Sequence, residues 1–419
     1  MIISVSRSSV RGILSSPSSK SVMQRLVACA LLADGESEIL APSLSDDSKA
    51  AIEMARCLGA GIRHMSDRII VKGGYNPVCT ELFCGESGLG ARVFSVLAAL
   101  NDGWIQINGE GSLTGRPVDM IEETLSQLDV DVRTSNGLLP VRIKGPMKGG
   151  DAFVDGSLSS QFLTGLLISL PVVKSSSRLI VNDLRSKPYI DLTIEIISSF
   201  GIEVKHEDYR VFNIPGSQIY RPVKYTVEGD WSGSAFILVL AALAGEVTVK
   251  GLSVRSTQSD RVIIEALRAA GVKVIISDDH VRVYKSKLRP FVFNVSDCPD
   301  LAPPLAVLAS FCEGKSVIRG TERLKAKESD RGKVLETEFS KLGVNIINYD
   351  DRIEVKGPSI IKGGEVDSNG DHRIAMALTV LSLLSDNNII ITGAESVNKS
   401  YPSFFNDLKN LGCKLKTLE

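Results

Sequence analysis

Hydrophobic and polar positions recur along this chain on a long period. An apolar helix end followed by Gly-apolar-x-apolar occurs as CLGAGI (57–62), SFGIEV (199–204), AAGVKV (269–274), KLGVNI (341–346) and NLGCKL (410–415). A weaker copy, QLDVDV (127–132), has Asp129 in the glycine position. The marker positions 59, 129, 201, 271, 343 and 412 are separated by 70, 72, 70, 72 and 69 residues. Such regularity is the signature of an internal repeat, here of six units.

Each unit has one grammar. A short V/I-rich piece leads into a Gly- or Ser-containing turn, and a long apolar helix follows, such as QFLTGLLISLPVV (161–173) or LAPPLAVLASF (301–311). A strand comes next, such as RLIVNDL (178–184) or SVIRGTE (316–322), then an amphipathic helix such as YIDLTIEIISSF (189–200) that the glycine terminates. Each unit thus reads β-α-β-α-β-β, a mixed α/β pattern. The first helix is apolar nearly all round, which predicts full burial, whereas the second is half polar and faces water. The predicted architecture is two similar domains, each an inverted α/β barrel of three repeats with helices inside and sheets outside. A six-unit solenoid is the alternative, but solenoid repeats are usually shorter, about 20–45 residues.

Composition narrows the class. With 43% hydrophobic and 23% charged residues the chain is globular, and a net charge of −1 offers no general footprint for nucleic acid or an anionic membrane. The longest apolar stretches, FILVLAALAG (236–245) and IAMALTVLSLL (374–384), are too short to span a bilayer. The start, MIISVSRSSVRG, lacks the apolar core of a signal peptide. Seven cysteines without a C-x-x-C pair read as thiols of a reducing cytosol, and four scattered histidines give no metal-ligand spacing.

Candidate chemistry gathers at the start of each buried helix or in the loop after its following strand. These places read SSPSSKSVMQR, GESGLGAR and GSLTGRP, DGSLSSQF and RSKPY, EGDWSGS, DCPDLAPP and KAKESDR, NGDHR and NKSYP. They hold Lys20, Arg25, Arg92, Arg116, Lys327, Arg331, Arg373 and Lys399. A cation at a helix N-terminus opposes the helix dipole, so Lys20, just after a Ser18 or Ser19 cap, needs an explanation. One helix could simply carry a solvated charge. That so many do predicts a strongly anionic ligand held by dipoles, hydroxyls and cations. Asp300, Glu328 and Asp371 lie in the same turns. Asp371 is a natural N-cap; Asp300 and Glu328 suit general acid–base work.

In this order, SSKSVMQR, GRP, DGSLSSQF, SKPYID, VEGD, CPD, KAKESDR, GDHR and NKSYP resemble the enolpyruvyl transferase family, and within it the 5-enolpyruvylshikimate-3-phosphate synthases, along the whole chain. The resemblance implies transfer of an enolpyruvyl group from phosphoenolpyruvate to the 5-hydroxyl of shikimate 3-phosphate by addition–elimination, with no metal or organic cofactor. It implies domains at 19–227 and at 1–18 plus 228–419, with the active site in the cleft between them. It also implies a cytoplasmic monomer whose partners are the two small substrates, with no nucleic acid or membrane partner.

Carried over by motif, Lys20, Ser21 and Arg25 bind shikimate 3-phosphate, with Lys20 also near phosphoenolpyruvate and counted as catalytic. Ser159, Ser160 and Ser186 hold the 3-phosphate, Lys327 the ring hydroxyls, and Gln161 lies between both substrates. Arg116, Arg331, Arg373 and Lys399 clamp phosphoenolpyruvate beside the Gly88 backbone. Asp300 takes the 5-hydroxyl proton, and Glu328 serves the methylene carbon. The chain departs from the family pattern at Glu86 and Leu89, where the pattern has Asn and Thr. Glu86 is expected to turn away, to pair with Arg92 or to be protonated. Two rivals remain: the transferase acting on UDP-N-acetylglucosamine, whose characteristic loop cysteine is missing from EGSLTG (110–115), and a non-catalytic anion-binding protein.

Overall fold

The computed structural model describes residues 1–418. They form two compact units: Ser18–Val227, the continuous unit, and a split unit made of Met1–Pro17 with the chain from Glu228 onward. Each unit has its own hydrophobic core.

The described residues build six four-stranded sheets, three per unit. The third repeat shows their common order. Asp151–Asp155 pairs in parallel with Ser177–Asn182. That strand pairs antiparallel with Val211–Ile214, which carries Lys205–Glu207 at the edge. A parallel pair needs a crossover, and the apolar helix Gln161–Ser169 supplies it.

Strand pairing departs from chain order at three places. Val10–Ser15 precedes the first buried helix, yet it pairs with Gly245–Lys250 of the fourth repeat. Lys224–Thr226, which precedes the fourth buried helix, instead pairs with Glu36–Leu40 of the first. Ile3–Ser6 completes the sixth sheet, antiparallel to Ile389–Thr392 and Lys414–Thr417.

The helices divide as their polarity predicts. Every residue of Gly88–Ala98, Trp231–Ala244 and His372–Ser382 is buried. Asp46–Cys57 and Arg331–Lys341 bury one face each. Each unit therefore has helices inside and sheets outside. Close approach of the central helices uses small residues: a Cβ at Gly165 would lie 2.8 Å from Val96 Cγ2.

The repeat marker has a conformational cause. Gly59, Gly201, Gly271, Gly343 and Gly412 have φ between +82° and +111°, where side chains are disfavoured. Asp129 fills the same role at φ +61°, a left-handed conformation that a short polar side chain tolerates. No helix among the described residues is long and apolar enough to cross a membrane.

Candidate active site

In the continuous unit, side chains tie together the N-terminal parts of three central helices. Ser19 caps Lys20–Leu32 by accepting from Val22 N. Gln24 on that helix donates to Ser87 Oγ at 3.0 Å, and Ser87 caps Gly88–Ala98. Arg92 donates to Gln161 Oε1 at 3.1 Å, to Gly88 O and to Pro117 O. Gln161 opens the third helix, where its N–H donates to Ser159 Oγ.

Arg25 is buried inside this bundle. It donates to Thr193 Oγ1 at 2.9 Å, Ser21 O at 2.8 Å, Tyr189 O at 3.3 Å and Thr164 Oγ1 at 3.4 Å. Burial lowers its pKa to about 10, partly offset by Tyr189. These bonds use four of the five guanidinium N–H groups, so Arg25 is mainly a tie between helices with one donor left for a ligand. Ser186, before the helix Pro188–Ser199, is buried at φ +57°. A non-glycine residue held there stores backbone strain, as ligand-binding turns often do.

Arg116 lies over Gly88: a Cβ on that glycine would come within 2.9 Å of Arg116 Nη2. The absence of a side chain thus lets the guanidinium rest on the helix start. Glu86 turns onto the 111–115 segment, where its Oε2 accepts from Ser112 N at 3.0 Å and Ser112 Oγ at 3.1 Å.

Lys20 also receives its explanation. Its Nζ lies 2.8 Å from Asp47 Oδ2, and both side chains are largely buried. A carboxylate of the same unit therefore supplies the negative charge that the sequence had suggested a ligand must bring. Asp47 escaped sequence reasoning because SDDSK reads as an ordinary capped helix start, in which acids answer the dipole.

In the split unit, Asp300, Lys327, Glu328, Arg331, Asp371 and Arg373 form one cluster. Arg331 is its hub. It contacts Asp300 Oδ1 at 2.7 Å, Glu328 Oε2 at 2.5 Å and Asp371 Oδ2 at 2.7 Å. Asp300 also meets Lys327 at 3.2 Å and Arg373 at 3.1 Å. Asp371 caps His372–Ser382 by accepting from Arg373 N. Lys399 donates to Gly370 O at 2.6 Å, beside that cap.

Burial pushes Asp300 up, but Arg373, Lys327 and Arg331 together outweigh it and hold the carboxyl well below its usual range. Burial lowers Lys327, while Asp300 opposes that shift. Arg373 is buried, with Nε and Nη1 lacking any hydrogen-bond partner. Two oriented cationic donors without acceptors are costly in a protein interior, and an anion would satisfy both.

Glu328, Asp371 and His372 place ligand-type atoms within 4.8 Å of one another. Arg331 is bonded to both carboxylates, which turns their lone pairs to a guanidinium, so the trio does not read as a metal centre.

A second acid missed by the sequence reading is Asp260. It is fully buried and accepts from Ser232 Oγ and, at 3.4 Å, from Ser259 Oγ. Burial and the charge of Asp300 raise its pKa to about 7, against Arg373 and Lys327, which lower it. Nothing in STQSD distinguishes it from a loop acid, since only folding removes its water. The folded chain therefore keeps a proton on Asp260 between about pH 4 and 7 that the unfolded chain releases, and stability falls as pH rises through that window. Asp260→Asn cannot ionise and should not show this loss. Urea midpoints at pH 5 and pH 8 check it, and an identical pH response in both proteins would remove Asp260 as the cause.

A model of the family described as EPSP synthase (3-phosphoshikimate 1-carboxyvinyltransferase) matches residues 5–408. A protein of Clostridium kluyveri named 3-phosphoshikimate 1-carboxyvinyltransferase is 38% identical over 413 residues, 98% of this chain and 97% of that one. One of the same name from Methanocorpusculum labreanum is 36% identical over 99% of this chain and 100% of its own. Among solved structures, an EPSP synthase from Acinetobacter baumannii superposes with a TM-score of 0.83 at 24% identity, covering 99% of each chain. The enolpyruvyl transferase NikO of Streptomyces tendae gives 0.81 at 17% identity, covering 99% of this chain and 98% of that one. At these identities the two structures bear on the fold alone.

Proposed function

This chain belongs to the EPSP synthase (3-phosphoshikimate 1-carboxyvinyltransferase) family, and we propose that it transfers the enolpyruvyl group of phosphoenolpyruvate to the 5-hydroxyl of shikimate 3-phosphate, releasing phosphate. The observation that carries the site reading is Arg373, a buried guanidinium with two nitrogens lacking partners beside a strongly ionised Asp300.

In this reading Arg373, Arg331, Lys399 and Arg116 hold the carboxylate and phosphate of phosphoenolpyruvate, beside Gly88. Ser159, Ser160, Ser186, Ser21 and Arg25 hold shikimate 3-phosphate, with Lys327 at its ring hydroxyls. Lys20 and Gln161 serve both substrates.

Asp300 is a poor base while three cations hold its charge. Substrate anions meeting Arg373 and Arg331 weaken that hold and raise its basicity when it is needed. It then takes the 5-hydroxyl proton as the oxygen attacks C2 of phosphoenolpyruvate. Glu328 in its acid form gives a proton to C3, forming a tetrahedral adduct. The Glu328 carboxylate then takes a proton back from C3 as phosphate departs with the proton held by Asp300, which restores the double bond and both residues. Fixed cations stabilise the anionic leaving group throughout.

All seven cysteines are free thiols, five of them buried. This supports action in a reducing cytoplasm. A monomer is the assembly we propose, and light scattering tests it.

Phosphate release from phosphoenolpyruvate is expected with shikimate 3-phosphate as acceptor, and excess chelator should leave the rate unchanged. Release with UDP-N-acetylglucosamine instead would overturn the acceptor. Release with neither, from folded protein, would favour a binding-only role, and inhibition by chelator would count against the metal-free mechanism.

A further inference from the structure

The pair Lys20–Asp47 gives the continuous unit a device beyond the substrate-contacting groups. Lys20 is the first residue of its helix, where the dipole disfavours a cation. Its four-carbon stem has many rotamers, so holding the ammonium in one place requires a partner. Asp47 provides one at 2.8 Å, with only 11% of its side chain exposed.

The support behind Asp47 is itself rigid. Asp47 sits in the first turn of Asp46–Cys57, whose cap Ser45 accepts from Ser48 N. The hydroxyls of Ser43, Ser45 and Ser48 bond to one another at 3.0–3.3 Å, and all three residues are buried. The stretch SLSDDS thus fixes the helix start that carries the carboxylate. A surface ion pair needs no such foundation.

We propose that Asp47 is a positioning residue: it acts through Lys20, holding the ammonium in reacting geometry and neutralising it until substrate anions arrive. This rests on the reading that Lys20 meets those anions. An ammonium has three N–H donors, so a carboxylate on one side leaves it able to meet an anion on the other. Removing the carboxylate makes Lys20 more attractive to anions but less well placed. Binding and turnover should therefore change in opposite senses.

The test is a double-mutant cycle of Asp47→Asn and Lys20→Met in the full chain, following phosphate release and shikimate 3-phosphate binding by calorimetry. Asp47→Asn is expected to lower kcat about 10- to 100-fold, the cost of a small misplacement. The KM for phosphoenolpyruvate should stay level or fall. Asp47→Glu should restore part of kcat. In the Lys20→Met background, Asp47→Asn should cost little more, because its effect runs through the lysine. Wild-type kcat in Asp47→Asn, or an equal loss with and without Lys20, would overturn the proposal. A raised KM with unchanged kcat would also overturn it. If the wild type itself neither turns over nor binds shikimate 3-phosphate, the reading of the reaction fails instead.

Discussion

Asp300→Asn is expected to cut phosphate release by about a hundred- to ten-thousandfold, the usual contribution of a positioned acid or base. Asparagine keeps the shape, and its one carbonyl oxygen can still accept from Lys327 and Arg331, which meet Asp300 Oδ1 at 3.2 and 2.7 Å, but its amide nitrogen cannot accept from Arg373, which meets Oδ2 at 3.1 Å. What it loses is the ability to take a proton, so the effect should fall on kcat. Because asparagine leaves three cations without their shared anion, the variant should also bind anions more tightly. Steady-state kinetics with both substrates, beside a circular dichroism spectrum that confirms folding, makes the check. Turnover within tenfold of wild type would sink the assignment of Asp300 as the base.

Arg331→Ala is expected to damage stability and activity together. Its side chain is 1% exposed and meets Asp300, Glu328 and Asp371 at once. Removing it leaves three neighbouring carboxylates without their central cation. Breaking a buried pair by deleting one partner costs about 3–5 kcal/mol. Asp371 also caps the helix that carries Arg373, so the loss should spread to the substrate clamp. Arg331→Lys keeps the charge but lacks the planar fork, and should recover only part of either property. Denaturation midpoints and phosphate release measure the two effects. An unchanged midpoint in Arg331→Ala would show that the cluster does not depend on its hub.

Much of the site was legible because its chemistry lies in short, local motifs. Ser-rich turns before apolar helices, cations where the dipole disfavours them, and acids in the same turns can each be read within ten residues. KAKESDR and GDHR carry Lys327, Glu328, Arg331, Asp371 and Arg373, and the fold draws them together with Asp300. Asp47 and Asp260 were not legible. Each resembles a routine acid in sequence and differs only in its surroundings: a lysine 27 residues away for Asp47, and complete burial near Asp300 for Asp260. Arg25 has a further role that its motif does not show: beside the ligand contact proposed for it, the fold uses four of its N–H groups to tie Ser21, Thr164, Tyr189 and Thr193 together.

The repeat, the element types and the division of helices into buried and half-exposed can be read from the chain alone. These follow from local periodicity and from one backbone requirement, the positive φ after each second helix that five glycines and Asp129 satisfy. Which strands pair is set by the folded chain. Val10–Ser15 and Lys224–Thr226 each lead into a buried helix, and each completes the sheet that chain order would give to the other. Pairing depends on backbone hydrogen bonds, which any strand of suitable length can offer, so pattern does not distinguish partners. Charge states were decided there too. Desolvation and distance set them, and neither exists until the chain has folded.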